Sequence, residues 1–347
     1  MPAPSTATAT PAAFKFDLFR HCRCLRHVGK VMVLVVMGAV ALSTAAVLSA
    51  YGPLAGGAPS TPGGPRPSGG ARFGAGLGIA AFLAAVAMLV WSYFACAVTG
   101  PGHVPPGWHP FISDAEAAAE LERLQTDPPD AASRLVGLPR PRWCKKCGAW
   151  KPDRAHHDSM TGSCALKMDH YCVWVANCVG LLNYKAFLLF LVYTLAACAL
   201  GTGLLVAAFV RAMKVGGGPD TDGPGVPIII FAGCVLDAAF ALAVAGFIVL
   251  HAGLAARNMT TIEAYEKRCV AVWPYDHGWA GNLAAVFGRA PARWGVPSLS
   301  AGARRALLEE ALRTGGGAGT ALPARVPPGA RDDDAGLGVD LESARSL

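Results

Sequence analysis

Asp169, His170 and Cys172 fall within four residues of one another, and Trp174 follows two positions on. The thiolate is the nucleophilic form of cysteine. A histidine within hydrogen-bond reach can take the thiol proton, and a carboxylate can hold that imidazole in the required tautomer. Three residues so close in sequence form such a triad only where the backbone turns tightly. Residue types alone leave two other roles open for Cys172, as a metal ligand or as a small buried side chain.

Upstream, Cys144 and Cys147 form a C-x2-C knuckle, and His157 and Cys164 follow at distances that two small hairpins can close. Four N and S donors of this kind are what Zn²⁺ takes up in a closed, structural tetrahedral site. The competing reading is four unrelated polar residues in a loop. It conflicts with the makeup of the segment from about Pro141 to Tyr184, which is dense in Cys, His, Lys and Trp and has no helical hydrophobic period. Something other than an apolar core must hold that segment together. His156 adjoins His157, and spacing does not choose between them.

The elements that must position these residues are helices in a membrane. The 347 residues are 53% hydrophobic and 15% charged, whereas a soluble chain is charged at roughly a quarter of its positions. Four apolar runs, Val31 to Tyr51, Leu77 to Val98, Ala186 to Val210 and Ile228 to Leu250, are each long enough to span a hydrocarbon core of about 30 Å. The first begins too late and is too long for a cleavable signal peptide, so it reads as a retained helix.

Lys15, Arg20, Arg23, Arg26 and Lys30 lead into the first run, and ten Lys or Arg residues lie between Thr99 and Lys185. The two remaining loops carry only Arg66 with Arg72 and Arg211 with Lys214. The positive-inside bias therefore predicts a multi-pass protein with both termini and the central segment in the cytosol. The net charge of +7 suits anionic lipid, and no basic, aromatic-laced stripe points to nucleic acid. Five of the eleven cysteines lie between Cys144 and Cys178, on the reducing side, where metal binding or catalysis is favoured over disulfides.

The expected organisation is a cytosolic segment over 1–30, helices over 31–51, 77–98, 186–210 and 228–250, and extracytosolic loops over 52–76 and 211–227. A cytosolic linker over 99–140 contains a short helix opened by a Ser113-x-x-Glu116 capping box and stopped by Asp127-Pro128-Pro129. The metal-bound module occupies 141–185. A cytosolic segment over 251–313 ends in an amphipathic helix from Ser300 to Arg313, and a disordered tail covers 314–347. The fold class is thus all-α and membrane-spanning, with a cytosolic zinc module of small β-hairpins between the second and third helices. A nucleophile at this boundary can meet both an apolar chain lying among the helices and a charged headgroup in water. Lys145, Lys146, Lys151 and Arg154 are cations able to hold the phosphates of such a headgroup, or else a solvated face near anionic lipid. Asp237 falls mid-span, where an acid costs roughly 2.5 to 3.5 kcal/mol, and should face the bundle interior with a hydrogen-bond partner. Cys22 and Cys24, flanked by Arg near the membrane, are candidates for acylation themselves.

The stretch from Cys144 to Phe187 resembles the cysteine-rich domain of the DHHC protein S-acyltransferases, through the strings CKKC, KPDRAHH, KMDHYCVW, NCVG and NYKAF. Asn258-Met259-Thr260-Thr261-Ile262-Glu263 resembles that family's Thr-Thr-x-Glu motif. Gly281-Asn282 followed by Val286-Phe287-Gly288 resembles its Asn-containing C-terminal motif. The likeness spans roughly Lys30 to Pro297. It implies a two-step transfer in which Cys172 takes palmitate or a similar chain from acyl-CoA, then passes it to thiols of cytosolic proteins near the membrane. His170 would be the base, Asp169 its orienting partner and Trp174 a neighbour of the thioester, with the acyl chain in a cavity among the four helices. A Golgi, ER or plasma membrane facing the cytosol is implied.

Two departures stand out. Tyr171 replaces the second histidine of the usual signature, and the family's second zinc set maps onto Asp158, Thr161, Tyr171 and Cys178, of which only Cys178 is a good ligand. The expectation is one zinc, at Cys144, Cys147, His157 and Cys164, with the resemblance selecting His157. Hydrogen bonds and packing are expected to replace the second ion. The family has members with Tyr at this position, so activity is expected. A silent membrane adaptor of the same fold, a zinc-ribbon ligase module and a transporter are the competing classes. They are disfavoured respectively by the intact triad, the shortage of ligands for two closed sites, and the lack of an inverted repeat.

Overall fold

The computed structural model describes residues 24–59, 65–111, 114–126, 142–214, 225–266 and 273–313. In chain order the long helices are α1 (Cys24–Gly56) and α2 (Gly69–Val98), followed by the short α3 (Asp114–Thr126). Beyond the hairpin module come α4 (Tyr184–Lys214) and α5 (Gly225–Ala256). By length and composition α1, α2, α4 and α5 can each cross a membrane. α4 packs along both α2 and α5, and α1 closes the bundle against α2 and α5. Glycines permit the close approach: a Cβ on Gly233 would sit 2.7 Å from that of Ala46.

Each helix outruns the apolar stretch that marks it. α2 begins at Gly69 rather than 77, because the Ser68 hydroxyl accepts the Ala71 amide at 3.2 Å and caps the first turn. With α1 continuing to Gly56, the loop expected over 52–76 is correspondingly shorter. Hydropathy marks the part that lipid must accept, whereas the hydrogen-bond ladder runs on into polar flanks where caps exist. Ser113, Asp127, Pro128, Pro129, Pro141, Cys22, the side chain of Cys24 and the tail from 314 lie outside the described residues.

Among the described residues between α2 and α4 stand three two-stranded antiparallel hairpins. They pair β1 (Arg142–Cys144) with β2 (Ala149–Lys151), β3 (His156–Asp158) with β4 (Ser163–Ala165), and β5 (His170–Cys172) with β6 (Asn177–Val179). Strands of three residues are too short to hold a sheet by themselves. Side-chain amides tie the module to the bundle. Asn177 Nδ2 donates to the carbonyls of Cys96, Ala97 and Thr99 at 2.8–3.1 Å, satisfying the open end of α2. Asn183 Nδ2 donates to Thr99 and Cys178, while its Oδ1 accepts from Gly180 N.

α5 ends in a left-handed cap at Asn258, φ 49°. Met259 N–H bonds Leu254 O at 2.9 Å and Asn258 N–H bonds Ala255 O at 3.1 Å, the paired pattern of a helix stop. Then follow α6 (Thr261–Glu266), α7 (Gly278–Phe287) and α8 (Ala301–Arg313), the last matching the expected amphipathic helix. Leu312 of α8 packs in one cluster with Trp108, Trp150, Ala155 and Leu166, covering the first two hairpins.

Candidate active site and metal centre

The chain turns between β4 and β5 through Lys167, φ 44°, and Asp169 N bonds Val179 O at 2.9 Å. The expected tight turn is not what aligns the triad: His170 and Cys172 are i and i+2 on the extended strand β5 and so share a face, with Asp169 immediately before the strand. His170 Nδ1 lies 2.7 Å from Asp169 Oδ2. Asp169 is 1% exposed and doubly anchored, its Oδ1 accepting from Thr261 N at 2.8 Å and its Oδ2 from Thr261 Oγ1 at 2.9 Å. With Nδ1 committed to Asp169, Nε2 is the ring nitrogen left for a proton from Cys172, two residues on along β5. Burial works against a charge on His170, but the hydrogen bonds to Asp169 and Cys172 and the charges of both override it and push the imidazole up to about 9. Burial also works against the Asp169 carboxylate. The bond to His170, its charge and the Thr261 amide nevertheless hold that group below the ordinary carboxylate range.

The Thr-Thr-x-Glu segment folds as a capping box. Thr260 Oγ1 accepts from Glu263 N at 3.2 Å and Glu263 Oε2 accepts from Thr260 N at 2.9 Å, which starts α6 and leaves Thr261 facing Asp169. Glu263, 2% exposed, takes a two-pronged ion pair from Arg154 at 2.6 Å for each N–H. Arg154 also donates to the Asn258 carbonyl at 2.7 Å and to its Oδ1 at 3.3 Å, and stacks 4.5 Å over Tyr275. Burial opposes the charge on Glu263, and Arg154 more than offsets it, holding that carboxyl low. The sequence reading of Arg154 as a phosphate cation therefore needs correction, because four of its N–H bonds point into the protein and brace the segment that orients Asp169. Lys167 joins the same network, its Nζ donating to Asn258 Oδ1 at 2.7 Å.

Cys144, Cys147, His157 and Cys164 offer ligand atoms that all lie within 4.8 Å of one another, a cluster able to hold a metal ion. The β3–β4 register sets His157 opposite Cys164, and His157 Nδ1 lies 3.1 Å from Cys147 Sγ and 3.7 Å from Cys144 Sγ. Zn–S bonds of about 2.3 Å place tetrahedral thiolates about 3.8 Å apart, and the Cys147 and Cys164 sulfurs are 3.7 Å apart. Donor set and spacing fit zinc. Strand alternation turns His156 to the other face.

The second corner is built differently. Asp158, 2% exposed, accepts from Met160 N at 3.0 Å and Thr161 N at 3.2 Å. Tyr171 pairs with Cys178 across β5–β6. Cys178 is fully buried beside Ala165 and Met168, with Tyr171 and Ile262 packed on them. Burial, together with the charge and hydrogen bond of Asp158, pushes the Cys178 thiol up to about 12, so it remains a neutral S–H.

Trp174 is 42% exposed and receives the Tyr93 hydroxyl on its carbonyl at 2.9 Å. It lines a cavity of about 160 Å³ among the four long helices, together with Val36, Phe190, Thr194, Ser43 and Asp237. Ser43 Oγ donates to Asp237 Oδ2 at 2.8 Å, the interior partner expected for that acid. Lys151 is half-buried, and its ammonium is pushed down by burial and by Arg142 opposite it. Lys145 and Lys146 are exposed.

These features define a membrane-bundle protein with a cysteine–histidine–aspartate centre two residues before Trp174, a lining residue of an apolar cavity, and a metal-type cluster on the first two hairpins. A family model for the DHHC palmitoyltransferase domain matches residues 138–268. Probable protein S-acyltransferase 14 of Arabidopsis thaliana is 41% identical over 290 residues, covering 81% of this chain and 88% of that protein. Probable protein S-acyltransferase 13 of the same plant is 40% identical, over 81% of this chain and 89% of its own length. Mouse palmitoyltransferase ZDHHC2 is 31% identical over 228 residues, 62% of this chain and 61% of that protein. The chain belongs to the DHHC palmitoyltransferase family.

Proposed function

We propose that this protein moves palmitoyl or a similar acyl group from acyl-CoA to cysteines of membrane-proximal cytosolic proteins, by way of a thioester on Cys172. The observation that carries this reading is the hydrogen-bonded chain from Thr261 through Asp169 to His170, with Cys172 two residues on along β5 and Trp174, which lines an apolar cavity, two beyond that. In the first step His170 Nε2 takes the Cys172 proton and Sγ attacks the thioester carbonyl. The bond to the CoA sulfur breaks, and His170 returns the proton to the departing thiolate. In the second step an acceptor thiol gives its proton to His170 and attacks the Cys172 thioester, and Cys172 leaves. Asp169 steadies the imidazolium in both directions, and its two bonds from Thr261 hold its orientation.

Lys145, Lys146 and Lys151 are the cations we assign to CoA phosphates, and Arg154 we assign to bracing α6. Cys144, Cys147, His157 and Cys164 would hold one zinc, which on binding would fasten the first two hairpins to each other as a structural ion. The distribution of basic residues supports both termini facing the cytosol. Initial rates with palmitoyl-CoA and a membrane-tethered cysteine peptide test the scheme. Parallel double-reciprocal lines are expected, and intersecting lines would reject a covalent enzyme intermediate.

A further inference from the structure

Three aromatic rings close behind the catalytic base. Phe187 meets His170 edge-on at 5.1 Å and His251 edge-on at 5.0 Å. Tyr184 stacks against Phe187 at 6.3 Å and lies 6.0 Å from His251, which is itself 6.0 Å from His170. His251 is 3% exposed, deep among apolar neighbours, and its Nδ1 lies 3.2 Å from the Tyr184 hydroxyl. The transfer scheme uses neither His251 nor Tyr184. Yet a buried imidazole costs free energy unless its polar atoms are paired, and this one is paired to a residue one helical turn before Phe187.

We infer that His251 is a positioning residue: held by Tyr184, it buttresses Phe187 and the open face of His170, so that the base keeps Nε2 on Cys172. The physical need is clear from what Asp169 leaves undone. A single hydrogen bond at Nδ1 fixes one atom of the imidazole and still allows the ring to rock about that bond. Asp169 is itself fixed by Thr261, so the remaining freedom belongs to the ring face. Phe187 and His251 occupy that side. The titratable groups facing His251 are Tyr184 from α4, and Asp169 and His170 from the hairpin module. The inference rests on the Cys172–His170 pairing proposed above, and it applies to the thiolate itself, before any acyl group arrives.

The test is alkylation of Cys172 by iodoacetamide in the purified, detergent-solubilised full chain, followed by peptide mass spectrometry across pH, with zinc content measured in parallel. His251→Ala is expected to slow alkylation at pH 7 about tenfold and to move the midpoint of the profile upward by about one pH unit relative to the wild type, since a misaligned imidazolium stabilises the thiolate less. His251→Phe restores a ring without the hydroxyl bond and should recover part of the loss. Tyr184→Phe keeps every ring and should show a shift of the same sign, about threefold in rate. A His251→Ala protein with wild-type zinc content and an unshifted profile would overturn the inference. If that variant does not fold, wild-type profiles for both His251→Phe and Tyr184→Phe would do so. Because alkylation needs no acyl-CoA, failure of the transfer scheme and failure of this inference remain distinguishable.

Discussion

Two corners of the hairpin module occupy equivalent junctions and are held by different chemistry. At the first, Cys144, Cys147, His157 and Cys164 converge with the spacing of metal ligands. At the second, the carboxylate of Asp158 gathers two backbone amides, while the Cys178 thiol is buried with Tyr171 packed against its cluster. A tetrahedral ion and a buried acid with two amide donors can do the same mechanical work of fixing a turn against a neighbouring hairpin. The second corner carries Tyr171 directly between His170 and Cys172, so its packing sets the strand on which the nucleophile stands. The contrast suggests that what the reaction needs from this corner is a rigid β5–β6 hairpin, whichever bonds supply the rigidity.

Breaking the first corner should have the largest effect. Cys147→Ser, or exhaustive chelation, is expected to release the metal and unravel β1 to β4, with transfer falling at least tenfold and the thermal transition losing cooperativity. Rebuilding the second corner sharpens the comparison. In the triple variant Asp158→Cys, Thr161→Cys, Tyr171→His, with Cys178 retained, zinc measured by elemental analysis should rise from one per chain to two. Asp158→Ala, which strands two backbone amides, should destabilise the protein by about 1–3 kcal/mol in denaturant melts without altering zinc content.

The smallest effect is a difference in pH dependence. The folded Cys178 keeps its proton up to about 12, while an unfolded cysteine ionises near 8.5. Between those values the unfolded chain binds fewer protons, so the contribution of this corner falls as pH rises from about 9 toward 12. The metal corner fails in the opposite direction, in acid, where protons compete for thiolate and imidazole. Melts of Cys178→Ala should lose part of the alkaline weakening and keep the acid one.

Much of this was legible in the sequence because the constraints are local or repetitive. Four apolar runs located four helices, since lipid demands about twenty apolar residues in a row. Their ends were missed, as at Gly69, because caps rather than hydropathy decide where a ladder stops. The cluster at Cys144 was readable from spacing, but the choice of His157 over His156 needs the β3–β4 register, which here came from family likeness. Arg154 was misjudged for a different reason: its partner Glu263 lies 109 residues away, and an unpaired cation in sequence resembles a phosphate ligand until the fold closes. The anchoring of Asp169 by Thr261 spans 92 residues and was legible only as a recurrent motif without a role. His251 gave no signal, because a single histidine in an apolar helix has no pattern around it.

The central claim is that Cys172 carries the acyl group. Purified wild-type protein with its zinc bound, incubated with palmitoyl-CoA and no acceptor, should acquire one palmitoyl group on the peptide containing Cys172. That group should be released by neutral hydroxylamine and be absent from Cys172→Ser. A zinc-replete wild type that acquires no such adduct, or a Cys172→Ser protein that acquires it equally, would contradict the account.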